Sequence, residues 1–163
     1  MNKLKESEGG CLCGAVRYRL EENPMYVQAC HCTDCQTVSG SAFVVNLWIE
    51  KANVTRLGDS PVSFMNIAGS GKGHEIFHCK KCGTDVFSKY YASPGDDLMV
   101  RAGTLDDTSG VEPLVHIFTR SKQPWVRIPD DKPSFKGFYR VFDLWPAHSA
   151  ERLTRLMKQA SGR

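Results

Sequence analysis

No stretch of this chain reaches the roughly 18 consecutive apolar residues that a membrane-crossing helix needs, so a helical membrane role is set aside. Met1 to Gly9 is polar and has no apolar core of the kind an export signal carries, and the expected setting is the cytoplasm. Basic residues are scarce as runs: Lys and Arg total 21 against 18 Asp and Glu, a net charge of +3 with no dense cluster. A nucleic-acid partner is therefore not expected. Helical periodicity is missing until the last fifteen or so residues, which argues against a helical bundle. What remains, 41% hydrophobic and 24% charged over 163 residues, describes one ordinary folded domain able to bury a core without disulfides.

Cysteine is the residue in excess. Seven thiols, an odd number, in a chain without an export signal point to metal binding or reactivity rather than to a disulfide scaffold. The tightest group is Cys30-His31-Cys32-Thr33-Asp34-Cys35. In extended chain Cys30 and Cys32 share a face while His31 points the other way, and a tight turn or one helical turn brings Cys35 back to Cys32. The others form Cys11-Leu12-Cys13 and Cys79-Lys80-Lys81-Cys82. A Cys-x-x-Cys-Gly turn between strands is a zinc knuckle, in which Gly83 permits the positive φ that turns backbone N–H groups toward sulfur. Isolated cysteines are often mere small hydrophobes, and a lone Cys-x-x-Cys can be a redox pair. Coincidence explains three such spacings poorly, so metal is the preferred reading, with zinc ahead of iron because ferredoxin runs are spaced differently.

Alternating patterns predict a mainly β fold. Cys11 to Leu20 reads as the first strand, with Val16, Tyr18 and Leu20 on one face and Cys11, Cys13 and Ala15 on the other. Ala42 to Ile49 is nearly continuous apolar and is the central-strand candidate. Shorter strands are expected at 54–57, 62–67, 75–79, 85–89, 98–102 and 115–118. Gly69-Ser70-Gly71-Lys72-Gly73 reads as a flexible loop carrying His74 at its end, and it lacks the spacing of a phosphate cradle. Near the terminus, Ser149 is a candidate N-cap for a helix over about 149–160, with Leu153, Leu156 and Met157 as its apolar stripe. One amphipathic helix on a mostly antiparallel β domain is the expected architecture.

Structural zinc sites are closed by four protein ligands, whereas catalytic sites offer three, and seven thiols divide as four plus three. Pairing Cys11 and Cys13 with the knuckle thiols Cys79 and Cys82 would clamp the first strand to the second half of the sheet. Cys30, Cys32 and Cys35 then form the open site. Among the histidines, His78 adjoins Cys79 but points across the strand, and His116, in an apolar strand, is more often a satisfied core residue.

Several segments together resemble the glutathione-dependent formaldehyde-activating enzyme family. They are Gly10-Cys11-Leu12-Cys13-Gly14-Ala15-Val16-Arg17-Tyr18, the Cys30 to Cys35 cluster, Ser39-Gly40-Ser41, Phe77-His78-Cys79-Lys80-Lys81-Cys82-Gly83-Thr84, Gly103-Thr104-Leu105-Asp106, and Pro113 to Phe118 with Trp125. The resemblance covers residues 9 to 135 or so and implies a β-tent: antiparallel sheets around the cysteine clusters, in a single domain over 1–163. It further implies two Zn²⁺ per chain, a structural one on Cys11, Cys13, Cys79 and Cys82 and a catalytic one on Cys30, Cys32 and Cys35. The implied activity is carbon–sulfur lysis of the S-hydroxymethylglutathione type, joining formaldehyde to glutathione, so a small thiol such as glutathione is the expected partner.

The donor set fits that chemistry on its own terms. Three thiolates around Zn²⁺ leave a net charge of −1, poor for generating hydroxide but able to take a fourth thiol and hold it deprotonated. A proton relay for the developing alkoxide is required, and His31, Asp34 or His116 can supply it. Arg101, Arg120 or Lys122 can orient the carboxylates of glutathione, although each is more often a solvated charge. A rival reading makes both zincs structural and the protein a binding or regulatory module. A zinc deaminase is excluded, since it needs a His-x-Glu or Cys-x-Glu motif followed by Pro-Cys-x-x-Cys. A Cys32–Cys35 redox pair would be suppressed by bound zinc.

Overall fold

The computed structural model describes residues 3–93 and 95–162. Short strands β1 (Glu8–Gly10) and β2 (Arg17–Leu20) open the chain, β3 (Tyr26–Cys30) leads into the helix α1 (Thr33–Ser39), and β4 (Val44–Glu50) and β5 (Val54–Arg56) follow. Next come β6 (Val62–Ile67), β7 (Gly73–His78), β8 (Asp85–Tyr90), β9 (Asp97–Arg101) and β10 (Val115–Ile117). Two helices, α2 (Val141–Leu144) and α3 (Ala147–Ser161), close it. The ten strands form two sheets, of order β1-β2-β5 and β10-β3-β4-β9-β8-β7-β6. The expected mainly β class with a C-terminal helix is found. Pairing is antiparallel throughout the described ladders except where β10 runs parallel to β3, placing Ile117 beside Cys30.

Strand parity divides the large sheet into two faces. Val27, Leu47, Ile49 and Val100 pack with Tyr18 and Leu20 of the small sheet. Tyr26, Trp48 and Met99 face the other way and are covered by Trp145, Leu153 and Leu156. Trp145 stacks on Tyr26 at 5.0 Å and meets Trp48 edge-on at 5.0 Å, and its indole N–H donates to the Tyr139 hydroxyl at 2.7 Å. Arg152 fastens α3 to the sheet by donating from Nε to Glu50 at 2.7 Å. Burial of Leu153 predicts that Leu153→Ala costs about 3 kcal/mol, measurable as a lowered denaturant midpoint with an unchanged slope.

Four local expectations change. Residues 11–15 form a turn, not strand: Gly14 N–H donates to Cys11 O at 2.9 Å, Cys11 N–H to Val16 O at 3.0 Å, and Gly14 has φ +76°. Alternation of Cys11, Cys13 and Ala15 imitates a strand, but a glycine in the left-handed region closes a turn instead. His74 belongs to β7 and is buried, because it lies opposite Tyr90 and Asn66 in the ladder. Ser149 lies inside α3, fully buried. Pro146 precedes the first turn, where a missing N–H costs nothing. Ala42 and Phe43 lie before β4 rather than within it.

The small sheet is held close to the large one by glycine. A Cβ at Gly9 would fall 2.5 Å from both Thr104 O and the Tyr18 hydroxyl. That hydroxyl bonds Thr104 Oγ1 at 2.8 Å, so the approach of β1 to the turn after β9 requires the bare backbone.

Candidate metal centres

The turn between β1 and β2 and the turn between β7 and β8 meet at their cysteines. Cys11, Cys13, Cys79 and Cys82 place their sulfurs within 4.8 Å of one another. Cys11–Cys13 is 3.5 Å and Cys13–Cys79 is 3.7 Å. Tetrahedral sulfur ligands at about 2.3 Å from zinc are about 3.8 Å apart, so the four thiols fit a closed site without rearrangement. Gly83, at φ +75°, turns the knuckle as its position requires. Backbone donors face the sulfurs: Val16 N–H reaches Cys11 Sγ at 3.2 Å and Lys81 N–H reaches Cys79 Sγ at 3.4 Å. Hydrogen bonds from the Thr84 hydroxyl and amide hold the Cys82 thiol down to about 5, while Cys13 is held up to about 11. For Cys13 the amide of Ala15 pulls downward but the neighbouring Cys11, Cys82 and Cys79 outweigh it.

At the other cluster, Cys30, Cys32 and Cys35 also gather within 4.8 Å, with Cys30 and Cys32 3.5 Å apart. Cys30 ends β3, between β4 and β10, and Cys35 sits in the first turn of α1, wholly buried. Cys32 is the N-cap of α1, its sulfur accepting from Cys35 N–H at 3.3 Å in place of the usual oxygen. The helix ends at Gly40, φ +63°, whose N–H returns to Gln36 O at 2.9 Å. The sulfurs oppose one another's ionisation: Cys32 is pushed down by the hydrogen bonds of Cys30 and Cys35, and Cys30 is pushed up by Cys32 and Cys35. Three ionised thiols in this space call for a cation.

Tyr90, Asn46 and Asp85, which sequence reasoning missed, join His74 and Arg101 beside this cluster. The Tyr90 hydroxyl lies 3.5 Å from Cys35 Sγ, and the His74 ring lies flat against Tyr90 at 3.9 Å and 11°. Asn46 accepts from Arg101 Nη1 at 2.6 Å, and Asp85 accepts from Arg101 Nε at 2.8 Å. Arg101 is buried, unlike the solvated charge its type suggests. The period-two run Ser88–Tyr90 at the end of β8 was the available sign that a tyrosine faces the same interior as Cys30. His74 is held at about 4 by burial first and then by Arg101, so its ring is neutral near pH 7.

The proposed relay residues are distributed unevenly. His31 and His116 form a pair, Nε2 to Nδ1 at 2.9 Å, both buried on the face of β3 and β10 opposite Cys30. Among the described residues neither ring hydrogen-bonds a cysteine sulfur. Burial, then the charges of His116 and Lys122, holds His31 at about 4. Asp34, half-buried on α1, accepts from Gly69 N–H at 3.1 Å and so ties the β6–β7 turn to the helix. Arg120 is exposed and lies over the Phe118 ring at 5.6 Å, and Lys122 donates to Val126 O at 2.7 Å.

Known proteins bear on this arrangement in three ways. An uncharacterized lyase of Schizosaccharomyces pombe is 29% identical over 87 residues, 53% of this chain and 60% of that protein, so the match leaves much of the relative's length uncovered. A solved protein of Rhodobacter sphaeroides superposes on 65% of this chain and 91% of its own, with a TM-score of 0.47 and 18% identity. Residues 6–121, well over half of the chain and including all seven cysteines, match the sequence profile of the glutathione-dependent formaldehyde-activating enzyme. With both cysteine clusters assembled inside that matched stretch, the chain belongs to the glutathione-dependent formaldehyde-activating enzyme family.

Proposed function

We propose that this chain is a zinc-dependent carbon–sulfur lyase acting on a thiol–aldehyde adduct, of the type that joins formaldehyde and glutathione in S-hydroxymethylglutathione. The observation that carries the reading is the division of the seven thiols into a four-sulfur and a three-sulfur set, each compact enough for one ion. Cys11, Cys13, Cys79 and Cys82 would hold a structural zinc that closes the small sheet onto the β7–β8 knuckle. Cys30, Cys32 and Cys35 would hold the catalytic one.

Bound by those three sulfurs, zinc supplies the positive centre that stabilises a substrate thiol as its thiolate at neutral pH. The chain's own groups do the rest. Arg101, paired with Asp85, places a buried guanidinium near Cys35, whose thiolate favours its charge. Burial of Cys30 and Cys35 shields two of the three sulfurs from water. When carbon–sulfur bond formation leaves an alkoxide, a proton has to arrive, and in the reverse direction it has to leave. The His31–His116 pair, in which one neutral ring donates while the other accepts, is one candidate for that hand-off, although it lies on the face opposite Cys30. Asp34, at the mouth of α1, is the other candidate for that proton. No disulfide joins the seven cysteines, which leaves all of them available as metal ligands.

Calorimetry tests the reading. Glutathione is expected to bind the zinc-loaded protein with net proton release, seen as a heat that varies with buffer ionisation enthalpy, since a thiol with a pKa of about 8.5 is deprotonated on coordination. S-methylglutathione is expected to release no proton. Equal heats for the two ligands, or no binding of either, would leave the non-catalytic binding module as the better account.

A further inference from the structure

We propose that the Tyr90 hydroxyl donates to the Cys35 sulfur and thereby sets how firmly the three-cysteine site holds a metal ion. Tyr90 is on this view a positioning residue. The inference rests on the reading of Cys30, Cys32 and Cys35 as a metal site and specifies what tunes it.

A phenol has a single proton to give, and among the described residues the acceptor within reach is Cys35 Sγ at 3.5 Å, an ordinary distance for sulfur. The ring is kept in place by His74, its partner in the β7–β8 ladder, which stacks on it at 3.9 Å and 11°. His74 is 1% exposed, and both of its ring nitrogens are buried without a protein partner. A histidine that leaves its hydrogen-bonding capacity unused while presenting a flat face to Tyr90 contributes shape and orientation. Arg101 gives Nη1 to Asn46 and Nε to Asp85, and as a guanidinium can only donate, so it does not take the Tyr90 proton from Cys35. The sulfurs are therefore served by different donors, Cys32 by the Cys35 amide and Cys35 by Tyr90. Hydrogen bonds to metal-bound thiolates stabilise the deprotonated ligand and withdraw electron density from the metal–sulfur bond.

Packing alone would also place an aromatic ring here, against the core cluster that contains Met99 and Trp48. Tyr90→Phe separates the two roles, because it keeps the ring and its stack and removes only the donor. Cobalt(II) alone, with no thiol or aldehyde, is the probe, so a protein that fails to bind glutathione still answers the question. In Tyr90→Phe the sulfur-to-cobalt charge-transfer band of the three-cysteine site should move to longer wavelength. Its affinity should fall about tenfold, since protons compete better for an unassisted thiolate, with the four-cysteine site unchanged. His74→Ala, which frees the ring but keeps the hydroxyl, should give a partial shift. Spectra of Tyr90→Phe that superimpose on those of the parent, with affinity within about twofold of it, would overturn the proposal.

Discussion

Cys82→Ser is expected to leave a chain that does not accumulate as a folded protein. Structural zinc bound by four thiolates contributes on the order of 10 kcal/mol at neutral pH, and a domain of this size is stable by about 5–15 kcal/mol in all. Losing one ligand removes most of that margin. The large effect is a consequence of where the ligands lie. Cys11 and Cys13 are more than sixty residues from Cys79 and Cys82 in sequence, and their contact joins the β1–β2 turn to the β7–β8 knuckle. Cys82 is the informative position because it is only partly buried, so serine there brings no large desolvation cost of its own. Thermal unfolding near that of the parent, with one metal ion missing, would show that this cluster is not the structural one.

Cys35→Ser should behave in the opposite way. We expect a folded protein whose melting temperature falls by a few degrees, whose four-cysteine site stays filled and whose three-cysteine site binds metal weakly. Exchange between formaldehyde, glutathione and their adduct, followed by NMR magnetisation transfer, should return to the uncatalysed rate. Cys35 lies in the first turn of α1 and is wholly buried, so some loss of stability from the substitution itself is included in that expectation. Full exchange activity in this variant would contradict the assignment of Cys30, Cys32 and Cys35 as the reacting centre.

The parts of the site that were legible in the sequence are those fixed by local geometry. A spacing of three between Cys32 and Cys35 survives as a helix N-cap, and Cys79 to Gly83 forms the knuckle its glycine announces. Long-range pairing of Cys11 and Cys13 with Cys79 and Cys82 was reached by counting thiols against ligand numbers and from the family resemblance, not from any local pattern. The strand read through Cys11 to Ala15 failed because alternation of side-chain type resembles a strand even where the backbone turns. Gly14 following Cys13 was the mark of a second knuckle, parallel to Gly83 following Cys82. His74 looked like a loop residue because glycines precede it. Its burial depends on Tyr90, sixteen positions away, and on Asn66 across the hairpin. The same holds for Tyr90 and Arg101: their proximity to Cys35 is set by the order β4-β9-β8-β7, which no local pattern encodes.

Metal stoichiometry tests the central claim most directly. Protein purified under reducing conditions is expected to carry two zinc ions per chain by elemental analysis, and a chelator should remove them in two phases. The fast phase should belong to Cys30, Cys32 and Cys35 and be slowed by glutathione, while the slow phase should coincide with unfolding. One ion per chain, or two that leave together at a rate indifferent to glutathione, would contradict the division into a closed and an open site.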